Sequence, residues 1–330
     1  MSRLQVLLLQ LVASVLVIGL LVWDAELDAV TAALGEADPV WLLAALVVKG
    51  LAVASHELRL WFALKPLQPV PLKQVLGIGF TAGLVNNLVP ARGGDLLAVG
   101  LLRQEAKVPA PTGLSAVGVT SVLEAAVFGV FLLGLMAANL PRWRELLGGA
   151  ETLQAMGALS FVTLALVAVS FVLVVVARRR GPPPERVEGA GPMDWIRQTL
   201  LDTGRGLGAA GPLAANLGLA VTQVGGMVGS HALLFPALGL EPSAPLLAAS
   251  FLVAVGSLAG VVLPPSFGAG AAATAVVVLG FFGIPEAAAL AWAALAWLAH
   301  VVPIAGLGIV PLQRRLARIR ELLARSQGAA

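Results

Sequence analysis

Five ionisable side chains stand inside stretches that are otherwise apolar: Lys49, Glu57, Arg92, Asp95 and Glu124. A charge at the centre of a membrane-spanning helix costs roughly 2.5–3.5 kcal/mol on insertion scales, so each needs a partner or a function. Arg92 carries the most specific chemistry. It lies in Asn86-Asn87-Leu88-Val89-Pro90-Ala91-Arg92-Gly93-Gly94-Asp95, between a proline and a glycine pair. Gly93 and Gly94 let the backbone approach a ligand closely, and a guanidinium offers a fork that fits a phosphate bidentately. That is the chemistry of a lipid-phosphate clamp, with Asp95, Asn86 and Asn87 orienting the arginine. The spacing equally lets Arg92 and Asp95 pair and tie the tip of a turn.

Glu124, flanked by Val122, Leu123 and Ala125, is a candidate proton acceptor or counter-ion to Arg92. It could also close an interhelical pair with Lys49. His56-Glu57 with Arg59 reads as an anchor at the end of the second helix, where long side chains reach water. His231 and His300 are single histidines on apolar helices, each either a satisfied buried group or a protonation switch. No histidine–carboxylate pair has metal-site spacing, and no P-loop is present. Gly206-Leu207-Gly208-Ala209-Ala210-Gly211 fits a dinucleotide-binding pattern, but no strand precedes it. The chain is therefore expected to use no cofactor and no metal, and not to be an enzyme.

The elements that must hold these residues are membrane helices. Hydrophobic residues form 58% of the 330 and charged residues 12%, too few charges to cover a water-exposed surface. The fold expected is an all-α polytopic membrane protein, with its first span over Leu4–Trp23. The loop after it holds Asp24, Glu26, Asp28, Glu36 and Asp38 without a cation, whereas Arg59, Lys65 and Lys73 follow the second apolar run. The positive-inside rule then puts the N-terminus in the cytoplasm. Arg178-Arg179-Arg180 opens a Pro/Gly-rich connector, and Arg314 to Arg325 forms a basic amphipathic stretch. That stretch is expected to lie on the cytoplasmic surface of a cell membrane.

Charge parity requires the stretch between Lys73 and Arg103 to go in and come back, and likewise Pro245 to Phe282 on the other side. Arg142 and Arg144 are the one exception. Both there-and-back segments are broken by glycine and proline, the second at Leu263-Pro264-Pro265-Ser266-Phe267-Gly268. Interrupted segments at corresponding places in opposed halves indicate an inverted repeat with a midplane site. The expectation is about six spanning helices plus two re-entrant hairpins, with Pro264, Pro265, Ser266 and Gly268 lining the second. One transmembrane domain is divided into a first half 1–177, a cytoplasmic linker 178–211, a second half 212–312 and a cytoplasmic helix 313–330.

The run Leu76 to Leu135, with Asn86-Asn87, Leu88-Val89-Pro90, Arg92-Gly93-Gly94-Asp95 and Glu124, resembles the flippase-like transmembrane domain of lysylphosphatidylglycerol synthases. Leu263-Pro264, Gly268 and Gly283-Ile284-Pro285-Glu286 resemble its second re-entrant segment. Family members usually carry an arginine and a glutamate after that second glycine motif, where this chain has Gly270 and Ala271. The sequence holds no counterpart of the aminoacyl-transfer domain of the synthases. The resemblance implies translocation of a phospholipid or polyprenyl-phosphate-linked lipid, the membrane lipid being the partner. Two alternatives stay open: a lipid-linked glycosyl transferase using the acidic first loop, and a lipid-binding subunit of a separate synthase. A homo-oligomer is compatible with either, and nothing points to nucleic acid.

Overall fold

In the computed structural model, residues 27–86, 93–180, 191–262 and 269–328 are described, and all their regular structure is helical. The first half comprises α1 (Leu27–Gly35), α2 (Pro39–Leu64), α3 (Leu72–Asn86), α4 (Gly93–Glu105), α5 (Ala110–Ala138), α6 (Leu140–Leu147) and α7 (Gly149–Arg180). After α8 (Pro192–Gly208) come α9 (Ala210–Ala237), α10 (Pro245–Val262), α11 (Ala269–Gly280) and α12 (Glu286–Gly328). Five of these, α2, α5, α7, α9 and α12, are long and apolar enough to cross a membrane. The sixth expected span, Leu4–Trp23, lies outside the described residues. Phe161, Leu164, Val169 and Phe171 of α7 stay exposed, as lipid-facing side chains do.

The spine is an antiparallel pair. Asp38 starts α2 by accepting from Val40 N at 2.8 Å, and Pro39 supplies the preset φ of a first helical residue. Asp38 N donates to Ala237 O at the far end of α9, while Arg59 meets Asn216 near its start. Between those two points Gly226 sets its Cα against Ala52 and the Val48 carbonyl, where an added Cβ would lie 3.0 Å from the alanine methyl. Small residues thus let the two backbones close up, as expected of membrane helices. The contact falls on Gly226 and Gly229, whereas Gly225 has open space beside it.

Helices α3 and α4 form a hairpin. Asn86, at the end of α3, bonds to Gly94 and Asp95 at the start of α4. At the base, Arg315 of α12 reaches Gly77 O and Glu105 together. At about 1.5 Å per residue, α3 with 15 residues and α4 with 13 are too short to span. Asn86 lines the same cavity as Lys49, near the middle of α2, so the hairpin reaches about halfway along the bundle. Helices α10 and α11 pack as a second short pair, and Gly283 at φ +80° turns the chain from α11 into α12. Ile284 N donates back to Leu279 O there, so the glycine of the second motif serves the turn. That turn sits at the start of α12, the end opposite Arg315, so the two pairs open toward opposite ends.

Packing and helix continuity describe two of the expected segments further. The connector expected over 178–211 contains α8, whose Thr199 carbonyl and Asp202 carboxylate accept from Ser115 and Thr112 of α5. Gly204 seats the same helix against Leu173 and Ala177 of α7. The C-terminal helix expected over 313–330 is not separate: α12 continues unbroken through it to Gly328. Nothing in Gln313–Arg325 stops a helix, since neither glycine nor proline interrupts it.

The charges sort by end for the most part, with Glu105 and Asp202 paired among the cations and Arg144 on α6 at the acidic end. Lys65, Lys73, Arg103, Lys107 and Arg314 gather at the end marked by Arg315, while Asp38, Glu241 and Glu286 gather at the other. Single cysteines replacing Lys73 and Arg103 are expected to react with an impermeant maleimide from one face, and those at Glu241 and Glu286 from the opposite face. Labelling of positions 73 and 103 from different faces would dissolve the hairpin.

Candidate functional site

The polar residues of the interior come from helices that could afford few of them. On α2, Lys49, Val53, His56 and Glu57 recur at helical spacing and line one wall of a cavity of about 310 Å³. Phe80, Gly83 and Asn86 of α3, Gln223 and Met227 of α9, and His300 and Ile304 of α12 complete it with Glu124 of α5. Three further spaces adjoin it. A small one beside the first hairpin shares His56, Glu57, Gly83 and Asn86 with it. One of about 580 Å³ at the basic end, lined by Lys73, Arg314 and Arg315, shares Phe80. One of about 260 Å³ against α10 and α11 shares Lys49 and His300.

Arg59 holds this wall in place. It is fully buried, and each of its three guanidinium nitrogens donates a hydrogen bond. Nε donates to Asn216 Oδ1 at 2.9 Å, and Nη1 donates to Glu124 Oε2 at 3.1 Å and Gln223 Oε1 at 2.5 Å. Nη2 donates to the Thr120 carbonyl, and Asn216 Nδ2 returns a bond to the Arg59 carbonyl at 3.1 Å. One side chain therefore ties α2 to both α5 and α9. His56 Nδ1 lies 3.5 Å from the same Glu124 oxygen, without hydrogen-bond geometry.

Two other charged groups in the cavity are not held this way. Lys49 is 4% exposed and Glu57 is 5% exposed, and neither has an ion pair or hydrogen bond among the described residues. Room for the Glu57 carboxylate is made by Gly79 and Gly83 of α3: a Cβ at position 79 would collide with it.

The lysylphosphatidylglycerol synthase TM region family matches residues 7–308. The chain belongs to that family. Among curated proteins no match is found. Membership of the lysylphosphatidylglycerol synthase TM region ties the chain to membrane lipid and agrees with its apolar helices.

Within this family framework, the structure brings Asn86, Gly93, Gly94 and Asp95 together. Asn86 Nδ2 donates to Asp95 Oδ1 at 2.8 Å, while Asn86 Oδ1 accepts from Gly94 N at 2.7 Å, capping α4. Gly94 packs so near the Ala82 carbonyl that no Cβ would fit. Arg92 and Asn87 lie outside the described residues, as do Pro264, Pro265, Ser266 and Gly268. Glu124 is placed with Arg59 and His56; no pair with Lys49 occurs among the described residues. Ala271 lines the 260 Å³ cavity.

Sequence reasoning assigned Arg59 and Glu57 to the water interface, and missed Asn216 and Gln223. The signal was present: Asn216 and Gln223 are seven apart on an otherwise apolar helix, hence on one face, where polar groups require partners.

Proposed function

We propose that the chain is a lipid translocator, moving a phospholipid or polyprenyl-phosphate-linked lipid between leaflets, with the headgroup passing through the connected polar cavities. The observation that carries this reading is the cavity of about 310 Å³, lined by Lys49, His56, Glu57, Asn86, Glu124 and His300, inside a bundle whose outer surface is apolar. A headgroup crossing a bilayer needs such a polar lining, while its acyl chains remain in hydrocarbon. The short hairpins would enter the membrane and turn back, their tips near mid-depth. The basic end, with Lys73, Arg314 and Arg315 around the 580 Å³ cavity, would face the cytoplasm and gather anionic headgroups. Arg92, in the segment between Asn86 and Gly93, remains the proposed phosphate clamp at the first tip, with Asp95, Asn86 and the glycines around it.

Reconstitution into liposomes with fluorescent phosphatidylglycerol in both leaflets tests this. Quenching from outside is expected to reach well beyond half of the label in protein-containing vesicles and half in empty ones. Protein-containing vesicles that quench like empty ones would leave a transferase or an accessory lipid-binding role.

A further inference from the structure

The cations of the interior fall into two groups. Arg59 has every edge of its guanidinium engaged. Arg315 is bonded to both oxygens of Glu105 at 2.8 and 3.0 Å, and to Gly77 O and Thr81. Lys49 differs. It is equally deep, yet no acceptor among the described residues takes its protons, and it lines both the 310 Å³ and the 260 Å³ cavities. His300 of α12 also lines both, and His231 of α9 lines the smaller one. Lys49 and His300 thus meet at the junction, while His231, whose Nδ1 lies 2.7 Å from the Met227 carbonyl, stands beside them in the smaller cavity. No carboxylate lines the smaller cavity, whose remaining walls are aliphatic and aromatic except for the Thr274 hydroxyl.

A buried ammonium without a counter-charge costs several kcal/mol, and a bundle built to pack alone would replace it with an apolar residue. The position is explained if an anion comes to it. Its surroundings define which anion: a space wide enough for a tetrahedral oxyanion, the His300 imidazole lining the same two cavities as the ammonium, and no carboxylate on the walls of the smaller cavity, Glu57 and Glu124 lining the larger one. We infer that Lys49, beside His300, forms an anion subsite at the junction of the two cavities, taking a phosphate oxyanion carried by a lipid headgroup or free in solution. The subsite rests on the translocator reading for its purpose. It adds a second phosphate-holding position, beyond the first hairpin and facing the second pair of short helices.

The test uses the full chain in micelles with dioctanoylphosphatidylglycerol as probe, dioctanoylglycerol as the uncharged control and inorganic phosphate as competitor. Lys49→Met is expected to weaken phosphatidylglycerol binding at least about tenfold while leaving dioctanoylglycerol unchanged, because only the phosphate loses a charge-assisted partner. It should unfold at the same temperature as the parent or higher, since the buried charge removed has no ion pair among the described residues. Lys49→Arg should retain binding. Competition by inorganic phosphate would identify the free ion as an occupant, and its absence would assign the subsite to the lipid-borne group. Unchanged phosphatidylglycerol binding in Lys49→Met overturns the subsite, and so does equal loss of both probes with a lowered unfolding temperature. Lipid movement separates the two readings. A parent chain that binds the probe but moves no lipid removes the translocator and leaves the subsite. Equal movement and binding by parent and Lys49→Met remove the subsite alone.

Discussion

Arg59→Met is expected to destabilise the folded chain by about 3–5 kcal/mol, a loss read as a fall in unfolding temperature in micelles. The guanidinium is fully buried, and its removal strands Glu124, Asn216, Gln223 and the Thr120 carbonyl together. Each stranded group keeps its desolvation cost, about 1–3 kcal/mol for a neutral one and more for the carboxylate. Glu124→Gln alone should cost less, because the amide can still accept from Nη1 and the carboxylate is only partly enclosed. The double variant Arg59→Met/Glu124→Gln should be more stable than the sum of the singles by roughly 1–3 kcal/mol, the signature of groups in direct contact. Strictly additive losses would remove the pair as a structural tie. Lys49→Met combined with Glu124→Gln should by contrast be additive, since these two share a cavity but no bond.

Much of the architecture was legible because a bilayer allows few solutions. Apolar runs long enough to span had to be helices, and the alternation of acidic and basic loops gave an expectation of which segments cross and which return. The brevity of α3 and α4 followed from counting residues between Asn86 and the flanking cations. What the order of residues hid was pairing across the bundle. Arg59 lies five residues before the end of α2, close enough that water seemed within its reach. Only α8, which folds over that end, and Asn216, which faces it from α9, make the place interior. Both belong to the second half of the chain, and no local pattern in α2 reports on them. Glu124 was noticed for the right reason, an ionisable group in an apolar run, yet the partners weighed for it were Lys49 and Arg92, and Arg59 emerges only from the register of α2 against α5. The glycines show the same limit. Gly225 and Gly229 have the four-residue spacing of a close-packed face, but the residue of α9 in closest contact is Gly226, set by the rotation of α9 about its axis.

Glu57→Gln is expected to leave the unfolding temperature unchanged or raised and to slow lipid movement at least about tenfold. Glu57 is 5% exposed and lines both the large cavity and the small one beside the hairpin, with no bonded partner among the described residues. Glutamine has the same shape, so it fills the space left by Gly79 and Gly83 without a charge to desolvate. A structural role therefore predicts gain or neutrality in stability and no change in transport. A role in receiving a cationic group, or a proton that accompanies the lipid, predicts stability with loss of transport. Glu124→Gln supplies the contrast. Its loss of stability should exceed its effect on the transport rate of the molecules that remain folded, because its carboxylate is committed to Arg59 and His56. Transport at the parent rate in Glu57→Gln would return Glu57 to packing. A fall in its stability matching that of Glu124→Gln would mean that an undetected partner holds it. The two carboxylates lie on facing helices and line one cavity, so opposite patterns in the two variants would divide their roles: Glu124 fixes the wall, and Glu57 meets what passes along it.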